Sequence, residues 1–143
     1  MTDEIARLVD GVLHEPTQVH ERGVDLTVSE VYEVTAPGRV DFGGGELTAA
    51  ERTPHERVRR NEDDDYRWWH LAAGQYLVEY NESVAGGTGE ATLTVQRRRE
   101  LCERGASHPT RSVAELGPVP LSVGGVGIRL KENARVSTVV RAD

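Results

Sequence analysis

Apolar residues recur along this chain with two different periods, and the change from one to the other divides it. Ile5, Leu8, Val9 and Val12 follow helical spacing, and Thr2-Asp3-Glu4 ahead of them offers a cap with acids in the first turn. The pattern predicts a short amphipathic helix over residues 1–14, stopped by Pro16. Beyond it the period falls to two. Val24, Leu26 and Val28 alternate with Asp25 and Thr27, and Val31 and Val34 prolong the run, which predicts one or two half-buried strands across 23–35. Pro37-Gly38 marks a turn. Val40 and Phe42 suggest a short strand that Gly43-Gly44-Gly45 ends.

Residues 46–67 are polar and read as loop, with room for one strand around Val58. A turn at Ala73-Gly74 then leads into Tyr76, Val78 and Tyr80, alternating as a strand does, and Leu93 and Val95 give another. The last third spaces Val123, Val126, Ile128, Leu130, Val136 and Val139 between Gly-Gly and Lys-Glu-Asn turns. One leading helix followed by many short strands and Gly/Pro turns predicts a mainly β chain, a sandwich or barrel, with its β core over 18–140. At 143 residues this is a single domain, 1–143.

Composition narrows what such a domain does. Aromatics are only 5% of the chain, so the core must rest on Val, Leu, Ala and Ile, and Trp68-Trp69 is needed there or at an interface rather than as a base-stacking platform. Acids number 24 against 16 arginines and a single lysine, Lys131, for a net charge of -7 and a pI near 5.3. That balance argues against general nucleic-acid binding, which needs net cation against phosphates. It suits a protein from a salt-adapted organism, in which acid excess maintains solubility. The lone cysteine, Cys102, forms no internal disulfide and fits a reducing compartment. No apolar stretch approaches membrane-spanning length, so a soluble cytoplasmic protein without membrane partners is expected.

Familiar catalytic constellations are absent. His14, His20, His55, His70 and His108 show no pair at helical metal spacing and read as ordinary surface or packing residues. Glu62-Asp63-Asp64-Asp65 is contiguous, unlike the alternating order of a calcium loop, and reads as solvated loop. Gly86-Gly87-Thr88-Gly89 lacks the Lys-Ser/Thr pair of a phosphate loop. What stands out is Arg97-Arg98-Arg99, placed where a strand gives way to a loop. Arginine is a planar fork of donors that meets phosphate oxygens two at a time and stays charged, so the cluster is a candidate anion seat; a solvated edge is the other reading.

Four segments carry a resemblance. Gly23-Val24-Asp25-Leu26, then Leu71 to Glu79, then Arg98-Arg99-Glu100-Leu101 with Gly105 four residues on, then Val126 to Val136 with Ala134-Arg135-Val136 at its end, stand in the order and approximate spacing of the dUTPase and dCTP deaminase superfamily. The chain resembles that superfamily over roughly residues 18–140. The resemblance implies a jelly-roll-like β fold, a homotrimer with nucleotide sites between subunits, a deoxynucleoside triphosphate substrate and Mg2+. It places Asp25 at the metal, Arg98, Arg99 and Gly105 at the phosphates, and Glu100 and Glu115 as the acids available for catalysis. It also exposes departures. Arg99 and Glu100 stand where the family has paired serines, the third motif is shortened to Ser112-Val-Ala-Glu-Leu-Gly117, and Leu121 or Ser122 occupies the place of the deaminase's glutamate. Two readings follow. The chain is a dUTP pyrophosphatase-like hydrolase or related dCTP deaminase, or it is a non-catalytic nucleotide-binding or structural trimer of the same fold.

Overall fold

The computed structural model describes residues 5–85 and 93–141. The expected cap at Thr2-Asp3-Glu4 and the Gly86-Gly89 tip lie outside them. Ile5 and Ala6 are helical, but the predicted helix does not run to His14: Val9–Asp10 is already extended as β1. A helix appears instead at Glu15–Gln18 (α1), so Pro16 opens a helical turn rather than closing one. Proline is tolerated there because the first-turn N–H groups have no intrahelical acceptor to lose. Short β2 (Val19–His20) then turns into β3 (Gly23–Ala36), the longest strand.

The alternation in β3 has a different cause from the one expected. Gly23 through Val28 are buried without interruption, so the polar positions face interior rather than solvent. Val24, Leu26 and Val28 face the apolar core, whereas Asp25 and Thr27 on the opposite face meet polar partners. Thr27 gives its N–H and hydroxyl to the buried carboxylate of Glu82, which also accepts from Gln18. Gln18 in turn accepts the Leu13 and His14 N–H groups and donates to the Asp25 carbonyl, fastening the N-terminal segment to β3.

The segment after β3 also differs from expectation. Val40 and Phe42 form no strand and are almost fully exposed; Arg39 pairs with Thr48 in an isolated bridge, and Asp41 accepts the Gly44 and Glu46 N–H groups to fold the glycine loop. The strand within 46–67 is β4 (Glu51–Pro54), while Val58 makes only a bridge to Trp68. Next come β5 (Trp68–Leu71), β6 (Gly74–Tyr80), β7 (Ser83–Val84) and β8 (Leu93–Arg97), then α2 (Arg99–Glu103). The chain closes with β9 (Ala106–Ser107), β10 (Arg111–Val113), β11 (Val119–Val123), β12 (Ile128–Lys131) and β13 (Arg135–Arg141). The main antiparallel sheet runs β10-β8-β13-β3-β6-β11-β9, with β2 and β4 also on β3; β1-β7 and β12-β5 are separate pairs. The first half of β3 pairs with β13 and the second half with β6, so this strand joins both halves of the sheet. Trp69 is fully buried as expected, with Arg57 stacked 5.0 Å from its ring centre.

A polar relay crosses the core. His108 is buried, and its Nδ1 must carry the proton because it faces the Pro109 carbonyl at 2.9 Å. Nε2 therefore accepts from the Ser137 hydroxyl at 2.7 Å, whose oxygen accepts from Tyr80 at 2.6 Å. Burial pushes the Tyr80 hydroxyl up to about 12. Burial likewise lowers the His108 pKa, outweighing the raising effect of the Pro109 carbonyl. The unfolded chain then takes up a proton that the folded chain resists. Stability from this group is complete above the ordinary histidine value of 6.5 and is lost as pH falls toward the lower folded-state value. Urea titrations across this range are expected to give a steeper loss for wild type than for His108→Gln, the difference not exceeding about 1.4 kcal/mol per pH unit.

Candidate functional site

Asp25 is 1% exposed, and a carboxylate in that position is sustained only by partners that repay its lost hydration. They arrive from three other elements. Oδ1 accepts from Nε2 of His20 on β2 and from Oγ1 of Thr138 on β13, both at 2.7 Å. Oδ2 accepts from Nη1 of Arg135 at 3.0 Å, and Nε of Arg98 lies 3.6 Å away. Arg98 is held from several sides: its N–H donates to the Val136 carbonyl, Nη1 to the Arg135 carbonyl at 3.3 Å and Nη2 to Glu100 at 3.1 Å.

The convergence of Arg135 and Thr138 needs explanation, because residues three apart on a regular strand point to opposite faces. The register of β13 on β3 supplies it. Arg135 stands opposite Thr27 but Ser137 opposite Leu26, so one extra residue is accommodated at Val136. This bulge rephases the strand, and Arg135 and Thr138 emerge on the face that carries Asp25 and Thr27. Val136 and Ser137 are consecutively buried for the same reason.

Around this clamp lies a cleft of about 240 Å3, to which Arg22, Arg97 and Arg99 also contribute. Five arginines against Asp25 and Glu100 leave a formal excess of three positive charges, in a chain of net charge -7. The Glu100 carboxyl is held below the usual range, first by its own backbone N–H and then by Arg98, so it stands at the rim as an anion. Chemically, such a surplus of guanidinium groups is suited to an anion.

Four of the residues singled out from sequence, Asp25, Arg98, Arg99 and Glu100, meet here. Two do not. Glu115 lines a separate small cavity with Tyr80, Arg111 and Leu116, which shares no residue with the cleft. Gly105 shapes the turn after α2 at φ +92, its N–H donating to the Cys102 carbonyl and its carbonyl accepting from Gly124, and it does not line the cleft. Sequence reasoning passed over His20, taken as an ordinary histidine, and Thr138. Arg135 had a signal, the Ala134-Arg135-Val136 segment, but no role.

Asp25 does not fit a divalent ion as expected. Magnesium takes near-octahedral oxygen ligands. Here both carboxylate oxygens already accept hydrogen bonds, and two guanidinium groups stand against one of them. No group of three or more His, Cys, Asp or Glu side chains suited to a metal occurs among the described residues.

No family model matches the chain. It is 31% identical over 135 residues to a probable deoxyuridine 5′-triphosphate nucleotidohydrolase of Methanosarcina acetivorans, covering 90% of this chain and 74% of that one. The chain belongs to the dUTPase/dCTP deaminase superfamily. A second relative with the same name, from Archaeoglobus fulgidus, is 27% identical and covers 96% of this chain and 83% of its own length. One from Halobacterium salinarum is 36% identical over 67 residues, 47% of this chain and 39% of its own. The fold is that of the 2′-deoxycytidine 5′-triphosphate deaminase from Agrobacterium tumefaciens, with a TM-score of 0.58 at 14% identity. That match covers 94% of this chain, which spans 43% of the deaminase chain. The superfamily's β fold is thus present as expected, while the short leading helix expected over residues 1–14 is interrupted by β1.

Removing the carboxylate leaves Arg98 and Arg135 facing one another without their counter-charge. Asp25→Ala is expected to lower unfolding free energy by about 3–5 kcal/mol, the usual cost of breaking a buried pair, measured by chemical denaturation. Loss within the range of ordinary surface substitutions, about 0.5 kcal/mol, contradicts the clamp.

Proposed function

We propose that this chain hydrolyses a deoxynucleoside triphosphate, dUTP in the first instance, to the monophosphate and pyrophosphate. The single observation that carries the reading is the arginine cleft built on buried Asp25, within a chain of this superfamily. Attack of water on the α-phosphorus and departure of pyrophosphate gather negative charge on phosphate oxygens. Fixed guanidinium groups stabilise that charge without reorganising during the reaction. Arg98 is the most firmly positioned of them, and Arg99 and Arg135 flank it.

A base must reach the attacking water. Glu100 is the acid already beside the cleft, but its lowered proton affinity makes it the weaker of the two candidates. Glu115 lines a different cavity of the same chain, so in this reading it serves the cleft of a neighbouring subunit in a homotrimer. Almost fully exposed Val40, Phe42 and Val126 supply apolar surface for such an assembly. Deamination of dCTP, which the likeness to the deaminase brings into view, is less well provided for. At the place of its glutamate, Leu121 is buried and Ser122 pairs with Gln75. A non-catalytic trimer is not favoured, because close relatives carry the name of a hydrolase. The lone thiol, Cys102, suits a cytoplasmic site of action.

Purified protein is expected to release pyrophosphate from dUTP and no ammonia from dCTP. Arg98→Ala is expected to lower kcat/KM by about 10²-fold or more. Release of ammonia from dCTP, or no product from either nucleotide, overturns the hydrolytic reading. Separately, native mass spectrometry is expected to find a trimer, and Glu115→Gln to retain dUTP binding while losing turnover. A monomer that turns over normally contradicts the assignment of Glu115.

A further inference from the structure

We propose that the cleft receives its polyphosphate free of magnesium, with arginine side chains supplying the neutralisation that a divalent ion would otherwise bring. The inference rests on the nucleotide reading for its ligand, but its argument is separate and begins with Asp25. A carboxylate that binds a metal must present a lone pair. The two Asp25 oxygens are occupied by His20, Thr138 and Arg135, with Arg98 beside them. An ion reaching Asp25 must displace hydrogen bonds at 2.7 and 3.0 Å and then remain beside two fixed cations. The other carboxylate at the cleft, Glu100, is turned to Arg98. Neither acid is arranged for a hard cation.

Charge matching points the same way. A free triphosphate carries about four negative charges near neutral pH, counting close to two on the terminal group and one on each of the others. Magnesium cancels two of them. Arg22, Arg97, Arg98, Arg99 and Arg135 exceed the local carboxylates by three, a complement to the bare polyanion and an over-compensation of the magnesium complex. Guanidinium forks also bind phosphate oxygens in pairs, which a coordinated ion would compete to occupy. Arg99 in place of a family serine adds charge where a hydroxyl would add none.

The test is calorimetric titration of the full chain with inorganic tripolyphosphate and with dUTP, each in EDTA and in excess magnesium. Both ligands are expected to bind in EDTA, and binding is expected to weaken several-fold when magnesium is added. Arg97 and Arg99 are exposed, so an Arg97→Gln, Arg99→Gln variant is expected to fold normally and to lose both affinity and much of its salt dependence. Binding only in the presence of magnesium, or tighter binding with it, overturns the metal-free site while leaving the nucleotide reading intact. Binding of tripolyphosphate but not dUTP in EDTA upholds the metal-free polyanion site and removes the nucleotide. No binding of either ligand under any condition overturns both.

Discussion

A single buried carboxylate governs how this chain is put together. Asp25 gives up nearly all its water near the start of the longest strand, and the interior offers it nothing in return except what other elements bring. His20 comes from β2, Arg135 and Thr138 from β13, and Arg98 from the turn into α2. Each of these is fixed by the requirement, so the relative placement of four segments follows from one group's need for counter-charge. The cleft is a by-product of that arrangement. Cations recruited to an interior anion sit at its outer edge, and three further arginines turn local neutrality into surplus.

The opposite face of the sheet is settled by different means. There Val24, Leu26, Val28 and Val139 pack with no polar partners to satisfy, while Ser137, opposite Leu26, is drawn into the relay with Tyr80 and His108. Neighbouring residues of β13 thus serve separate purposes: Ser137 belongs to the core and Thr138 to the site. Few aromatic residues are available, and where one is fully buried, at Trp69, a charged side chain lies against it. Arg57, so placed, also bridges Glu30 and Glu132, which ties β3 to the turn before β13.

Strand-forming stretches at 23–35, 76–80 and 93–95 were legible because alternation is a local property, written in consecutive residues. What a strand alternates between was not. Asp25 and Thr27 carry the pattern of a solvated face, and only the partners supplied from elsewhere in the chain make that face an interior one. Proline ends helices from within, so Pro16 reads in sequence as a stop, whereas in the fold it lies at the start of a helix. The arginine triplet was visible as a cluster but not as a clamp. His20 and Thr138 lie 5 and 113 residues from Asp25 in sequence, and the second separation is set by sheet pairing, which no local pattern records. Gly105 and Glu115 came from motif order alone, and order does not fix direction or distance.

The bulge at Val136 gives the site an unusual kind of dependence. Its side chain touches neither Asp25 nor the arginines in any hydrogen bond or ion pair among the described residues, yet the count of residues through it decides which way Arg135 projects. A β13 shorter by the bulged residue could retain every amino acid that meets Asp25, keep Val139 in the core and still present the guanidinium to the wrong side. Information for the site is therefore stored in a length as much as in identities. Relatives of this chain are then best judged by whether they keep the insertion in phase, since two sequences alike at every polar position can differ at the site by one apolar residue of the bulge.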